Sequence, residues 1–140
     1  MPTMWMVRGE SGRLYDEFRE RGVVAIGWNV IADQVQPGQS REQVADLYRA
    51  AEPGKTQGQI VAGASQVWRF VNEIEVGDWV VTYSPGNRTY LIGEVAGAFQ
   101  YRPDWIQDDL GMIRPVSWRE REVDRDAFSQ SSKNLPLIHI

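Results

Sequence analysis

Cysteine is absent from the 140 residues. That excludes disulfides, thiolate nucleophiles and zinc sites built on sulfur. Histidine occurs once, at His139, beside the last residue. Neither a histidine metal cluster nor a Ser-His-Asp triad therefore has its parts, and His139 reads as an ordinary residue of a strand "LPLIHI". Lysine is nearly missing: Lys55 and Lys133 stand against thirteen arginines. No apolar run approaches the roughly 18 residues of a membrane span, and Met1 to Gly9 holds no apolar stretch of the kind found in secretory signals. A cytoplasmic protein without a membrane partner is expected.

Hydrophobic residues make up 42% of the chain and charged residues 24%, as in ordinary globular proteins. The length suits one domain with a real core, spanning 1–140. The net charge of −4 argues against gripping nucleic acid by bulk electrostatics. Arginine nonetheless suits bidentate phosphate contacts and stacking on flat groups, although arginine-favouring codon use explains the same bias. Six tryptophans are more than a core of this size needs.

Met4 to Arg8 alternates weakly and predicts a first strand, with Trp5 and Val7 on one face. Ser11 to Arg21 predicts a short helix, with Leu14, Tyr15 and Phe18 inward and Gly22 as its C-cap. "VVAIGW", Val23 to Trp28, is a second, buried strand, and Asn29 to Gln39 reads as a loop. Ser40 with Gln43 forms a capping box ahead of an amphipathic helix carrying Val44, Leu47, Tyr48 and Ala51. A third helix covers about Gln57 to Ile74, with Ile60, Ala64, Val67, Val71 and Ile74 in period. The rest is strands and turns. "VGDWVVTYS" leads through the Pro85–Asn87 turn into a returning strand, in which Gly93 and Gly97 suggest a bulge or bend. "DWIQDDLG" is a polar loop, and "MIRPVSWRERE" is a strand whose Pro115 implies an edge or bulge position. Asp124 to Phe128 reads as a helical turn, and "LPLIHI" as a last strand with Pro136 at an edge. The sum is α+β: a small, strongly bent sheet or barrel with helices packed on it.

Catalytic signals are few. "PGKTQG" matches the tail of a phosphate-binding loop, but Arg49 stands where its first glycine belongs and a helix precedes it. Lys55 then belongs to an inter-helix turn and at most touches a phosphate. Neither lysine follows a glutamate or glutamine by two residues, so the E-x-K pattern of metal-dependent nucleases is missing. Gln107 to Asp109 reads as a solvated loop rather than a divalent-ion site. No catalytic residue, metal or cofactor is expected, and the chain is not read as an enzyme. Aromatics beside polar residues remain: Trp28–Asn29, Tyr83–Ser84 and Trp68–Arg69. Stacking on a base contributes roughly 1–3 kcal/mol per aromatic. Two readings stand at Trp28: it closes the core, or it walls a pocket for something flat.

The segments "MWMVRGESGRLYDEF", "GVVAIGW", "ASQVWRFVNEIEVGDWVVTYSP" and "YLIGEVAG" together resemble the N-terminal module of Mrr-type restriction proteins. That module is similar to the EVE and YTH domains of the PUA-like superfamily. The resemblance implies a compact β-barrel flanked by helices and a pocket that holds a modified base in an aromatic cage. It implies Trp28 as a cage wall, Asn29 as a polar group on the base, and Glu10 and Ser11 at the base edge. It also implies Tyr83 and Ser84 as a pocket wall, with Trp68 and Trp105 as candidates for the second cage aromatic. Arg8, Lys55, Arg69, Asn87 and Arg88 are the expected contacts to the nucleic-acid backbone. Mrr-type proteins carry a nuclease domain after this module; the chain ends at Ile140 without one, so cleavage is expected only from an associated or fused nuclease domain outside these residues. The expected function is recognition of a flipped, modified base in DNA, 5-methyl- or 5-hydroxymethylcytosine first, within a modification-dependent restriction system. An RNA reader of a methylated base, a sensor of a free nucleotide or other planar molecule, and a protein-contact domain are the alternatives.

Overall fold

A computed structural model describes residues 3–124 and 137–140, the side chains of Glu10, Ser11 and Leu137 excepted. The two central helices form where polar side chains can satisfy their first free N–H groups. In α2 (Arg41–Ala51) the Ser40 side chain accepts from the Gln43 backbone N–H, and Gln43 answers to the Ser40 N–H. α3 (Gln57–Trp68) begins on the same device, built from Thr56 and Gln59. α3 then widens into a π-helical turn, Arg69–Glu73, so the predicted third helix does run on to the edge of Ile74. Ile60, Ala64, Val67, Val71 and Ile74 are all buried, as their period requires.

The first helix is shorter than predicted. Gly9–Gly12 is a 3-10 turn, and α1 covers Tyr15–Arg21 without a side-chain cap at its start. Gly12 is the cause: it stands at φ 97, and a Cβ there would lie 2.5 Å from Pro85 Cδ. Only glycine passes the following hairpin in that conformation, so a helix cannot begin at Ser11. Gly22 ends α1 in the left-handed conformation, at φ 66, as expected.

The sheet order is β2-β6-β4-β3-β1-β8, and it curls strongly into a half-barrel in an α+β arrangement. The strands are β1 (Met4–Met6), β2 (Val23–Ile26), β3 (Trp79–Ser84), β4 (Thr89–Val95), β5 (Gln100–Tyr101), β6 (Met112–Trp118), β7 (Val123–Asp124) and β8 (Leu137–His139). β5 pairs with β6 and β7 with β4, off the main path. The long returning strand of the sequence is thus two strands, β4 and β5. β1 runs parallel to both β3 and β8, and α1, α2, α3 and the π-helical turn all lie in the crossover from β1 to β3.

Pro115 does not sit at an edge of the sheet, because β6 is central. It lies between Met112–Ile113, which pair with β5, and Val116–Trp118, which pair with β4. No ladder N–H is required at that gap, so proline fits there. Gly93 is not a bulge; it is in register opposite Val80, and a Cβ would meet Val116 Cγ1 at 2.6 Å. The predicted loop after β2 contains the 3-10 turn Asn29–Ile31, with Ile31, Ala32 and Val35 buried. The polar loop 104–111 likewise contains a 3-10 turn, Pro103–Asp108. Asp124 ends β7, and the rest of the predicted 124–128 turn lies outside the described residues, as does Pro136. His139 is an exposed residue of β8, opposite Met6. No helix among the described residues is long and apolar enough to cross a membrane.

Two buried polar anchors join the helices to the sheet. Asp78 accepts from the Thr3 N–H at 3.1 Å, the Trp5 indole N–H at 2.9 Å and the Glu75 N–H at 2.9 Å. This is what the "VGD" turn does: it docks β1 beside β3. Arg114 donates to the carbonyl oxygens of Gly97, Phe70 and Ile74, and so caps the end of the π-helical turn. Burial pushes the Arg114 pKa down, and the charge of Asp78 opposes that shift.

A third anchor has a pH signature. Tyr15 is buried beside Glu122, which accepts from the Thr89 hydroxyl and pairs with Arg19. Burial, reinforced by Glu122, raises the Tyr15 phenol from 10.0 to about 12. The unfolded chain gives up this proton first, so the contribution is fully present below pH 10 and lost as pH rises through 12. Denaturant midpoints should fall between those two values more steeply for the wild type than for Tyr15→Phe. Parallel curves for the two proteins would remove Tyr15 as the cause.

Candidate functional site

The curl leaves a seam. Among the described residues, β2 has β6 as its only strand neighbour, and β8 is the opposite edge. An open cavity of about 260 Å³ lies where the ends of these strands come together. Val7 to Gly9 follow β1, Ala25 to Trp28 end β2, and Ile140 follows β8; Leu14 and Gln66 complete the lining. Pockets for drug-sized ligands span about 300–1,000 Å³. This one is smaller and suits a single flat ring system. Apolar side chains such as Val7, Leu14 and Ile26 line it, and Arg8 and Gln66 supply polar groups.

Trp28 is half-buried here, at φ 61 and ψ 41. A bulky residue in the left-handed region costs on the order of 1–3 kcal/mol, and such strain clusters at functional sites. The turn that follows holds it: the Ile31 N–H donates to the Trp28 carbonyl at 3.1 Å, and Ile31 is buried. On α3, Gly63 makes room for the indole. A Cβ at Gly63 would stand 2.9 Å from Trp28 Nε1 and 2.7 Å from Tyr48 Cε2. Arg8 is exposed, with its guanidinium carbon 5.8 Å from the centre of the Tyr83 ring.

Of the base-pocket residues read from the sequence, Trp28 lines this cavity, and Asn29, Trp68, Tyr83, Ser84 and Trp105 do not. Each is held elsewhere. The Asn29 amide donates to Asp109 Oδ1 at 2.9 Å and the Ile106 carbonyl at 3.3 Å. The Trp68 indole donates to the Gln39 carbonyl at 2.9 Å, with the Arg41 guanidinium 4.4 Å from its ring. Tyr83 packs on Tyr90, with ring centres 4.8 Å apart, and Ser84 is buried at the end of β3 opposite Thr89. Trp105 lies between two guanidinium groups, Arg21 at 4.8 Å and Arg102 at 3.9 Å. Glu10 and Ser11 belong to the 3-10 turn beside the cavity; their side chains lie outside the described residues.

Among the expected backbone contacts, Arg8 joins the cavity. Lys55 is exposed in the turn between α2 and α3, and Asn87 and Arg88 are exposed in the β3–β4 turn, with Arg88 at φ 55. Arg69 is half-buried and pairs with Glu73 at 4.0 Å. The carboxylates of "QDD" are engaged: Asp108 pairs with Arg21 and Asp109 with Arg13. Gln66 is the polar lining residue that sequence reasoning missed, and the apolar lining from Val7, Leu14, Ala25, Ile26 and Ile140 was not read as a pocket either. For Gln66 a signal existed, since Gly63 and Gln66 stand three apart on one helix face.

No curated protein matches the chain. A family described as a domain of unknown function, DUF8426, matches residues 4–137, and the chain belongs to that family.

Proposed function

We propose that this domain is a binding module, not an enzyme, that accepts one flipped, modified base in the Trp28 cavity. DNA carrying 5-methyl- or 5-hydroxymethylcytosine is the leading substrate, and a modification-dependent restriction system with an associated or fused nuclease is the setting. We read the half-barrel and its helices as PUA-like, of the EVE and YTH kind, in line with the resemblance of the sequence. The observation that carries the proposal is the strained Trp28, which places an indole against a cavity of base-like size at the open seam of the sheet. A flipped base needs flat walls and a few polar groups for its edge. Trp28 supplies a wall, and Gln66 supplies a donor and an acceptor. Arg8, Lys55 and Arg88 have no ion pair with any described residue and are suited to phosphates. A methyl group contributes only about 1–3 kcal/mol of discrimination, so selectivity is modest.

The net charge of −4 favours a second reading, a sensor of a free nucleoside or another planar molecule. One fluorescence titration separates the two. Short duplexes differing at one base (cytosine, 5-methylcytosine, 5-hydroxymethylcytosine, adenine, N6-methyladenine) are compared with matched RNA and free nucleosides, at low and moderate salt. Preference for one modified duplex is the expected result. Binding of nucleosides as tight as that of strands supports the sensor. Equal, salt-erased binding to every duplex overturns base reading in DNA.

A further inference from the structure

Two loops wall the cavity, and one carboxylate touches both of them. Arg13 precedes Leu14 on one wall, and Asn29 follows Trp28 on the other. Asp109, just after the 3-10 turn Pro103–Asp108, accepts from Arg13 on Oδ2 at 2.5 Å and from Asn29 Nδ2 on Oδ1 at 2.9 Å. Asp109 is itself left-handed, at φ 63, and its N–H donates to the Ile106 carbonyl at 3.1 Å. An ionised carboxylate only accepts, through two oxygens, so it serves both donors at once; an amide offers one such oxygen. The Arg13 arm is largely exposed, and exposed pairs of this kind contribute little to stability. Their geometry matters more here, because the residue beside Asn29 holds a strained backbone that must be kept from relaxing.

We infer that Asp109 is the positioning residue of the cavity: by holding Arg13 and Asn29 with one carboxylate, it sets the gap between the Leu14 wall and the Trp28 wall. It touches no ligand and acts through its two partners. The inference rests on the proposed base-binding role only for its effect on affinity; the effect on Trp28 is independent of any ligand.

The test uses the full chain labelled with 5-fluorotryptophan, the Trp28 fluorine line being assigned with Trp28→Phe. Asp109→Gly removes both arms and suits the positive φ. It should shift or broaden the Trp28 line and leave the lines of buried Trp5 and of Trp79 in place. Asp109→Asn keeps one acceptor oxygen and should move the line less. If Asp109→Gly fails to fold, Arg13→Ala and Asn29→Ala each cut one arm and should move the same line. An unchanged Trp28 line in the folded variants overturns the inference. In the second arm, affinity for a 5-methylcytosine duplex should fall on the order of tenfold in Asp109→Gly, short of the full loss of a stacking wall. If the wild type does not bind that duplex, the base-reading proposal fails, and the fluorine spectra alone decide the role of Asp109.

Discussion

Trp28→Ala is expected to weaken binding to the preferred modified duplex by about 1–3 kcal/mol, the contribution of one stacked aromatic, and to leave a folded protein. Tryptophan quenching on binding should disappear with it. Trp28 is half-buried against the core, so its loss should cost less stability than the about 3–5 kcal/mol of truncating a fully buried aromatic such as Phe18 or Phe70. The backbone supplies an internal control. At φ 61 alanine is strained and glycine is not. Trp28→Gly should therefore be more stable than Trp28→Ala by about 1 kcal/mol, while both lose binding equally. Urea denaturation and the duplex titration measure the two effects separately. Should Trp28→Ala lose several kcal/mol of stability and bind normally once folded, Trp28 belongs to the core and the cavity is not the site.

Asp78→Ala should be the most damaging single substitution among the polar residues. Asp78 is 6% exposed and takes three donors, one of them the indole of buried Trp5. Alanine strands those N–H groups and removes the carboxylate whose charge supports the buried Arg114. Stranded buried donors and an uncompensated buried charge together amount to about 3–5 kcal/mol. Domains have only about 5–15 kcal/mol in all, so the variant should lose a large share of its stability and its denaturation midpoint should fall sharply. Asp78→Asn keeps an acceptor oxygen and should lose less. A denaturation midpoint for Asp78→Ala close to the wild type would mean that β1 docks through its apolar face alone.

Local order was legible wherever a short-range rule governs it. The Ser40–Gln43 capping box, the Gly22 cap, the inward face of α3 and the strands around the Pro85–Asn87 turn all follow from neighbours a few residues apart. The α1 start was misread because the φ of Gly12 and its clash with Pro85 are set by a hairpin more than seventy positions away in the chain. Two of the residues expected from the sequence, Trp28 and Arg8, line the cavity. Trp28, with Asn29 behind it, attracts attention as an indole at the end of a buried strand. Trp68, Tyr83 and Trp105 present the same aromatic-beside-polar pattern, yet each is bound to its own carbonyl, ring or guanidinium partner.

The sequence by itself determined the α+β class, the two capped helices, the apolar faces and the lack of thiol and histidine chemistry, because composition and periodicity act locally. Only the tertiary structure decided that Trp28 meets the cavity at the seam. That depends on the curl of the sheet, which opens a seam between β2 and β8, and on Gly63, which lets the Trp28 indole lie against α3. It also ties Asn29 to Asp109, which reaches it across eighty positions of chain. Such contacts arise from the packing of distant segments, and no local pattern encodes them.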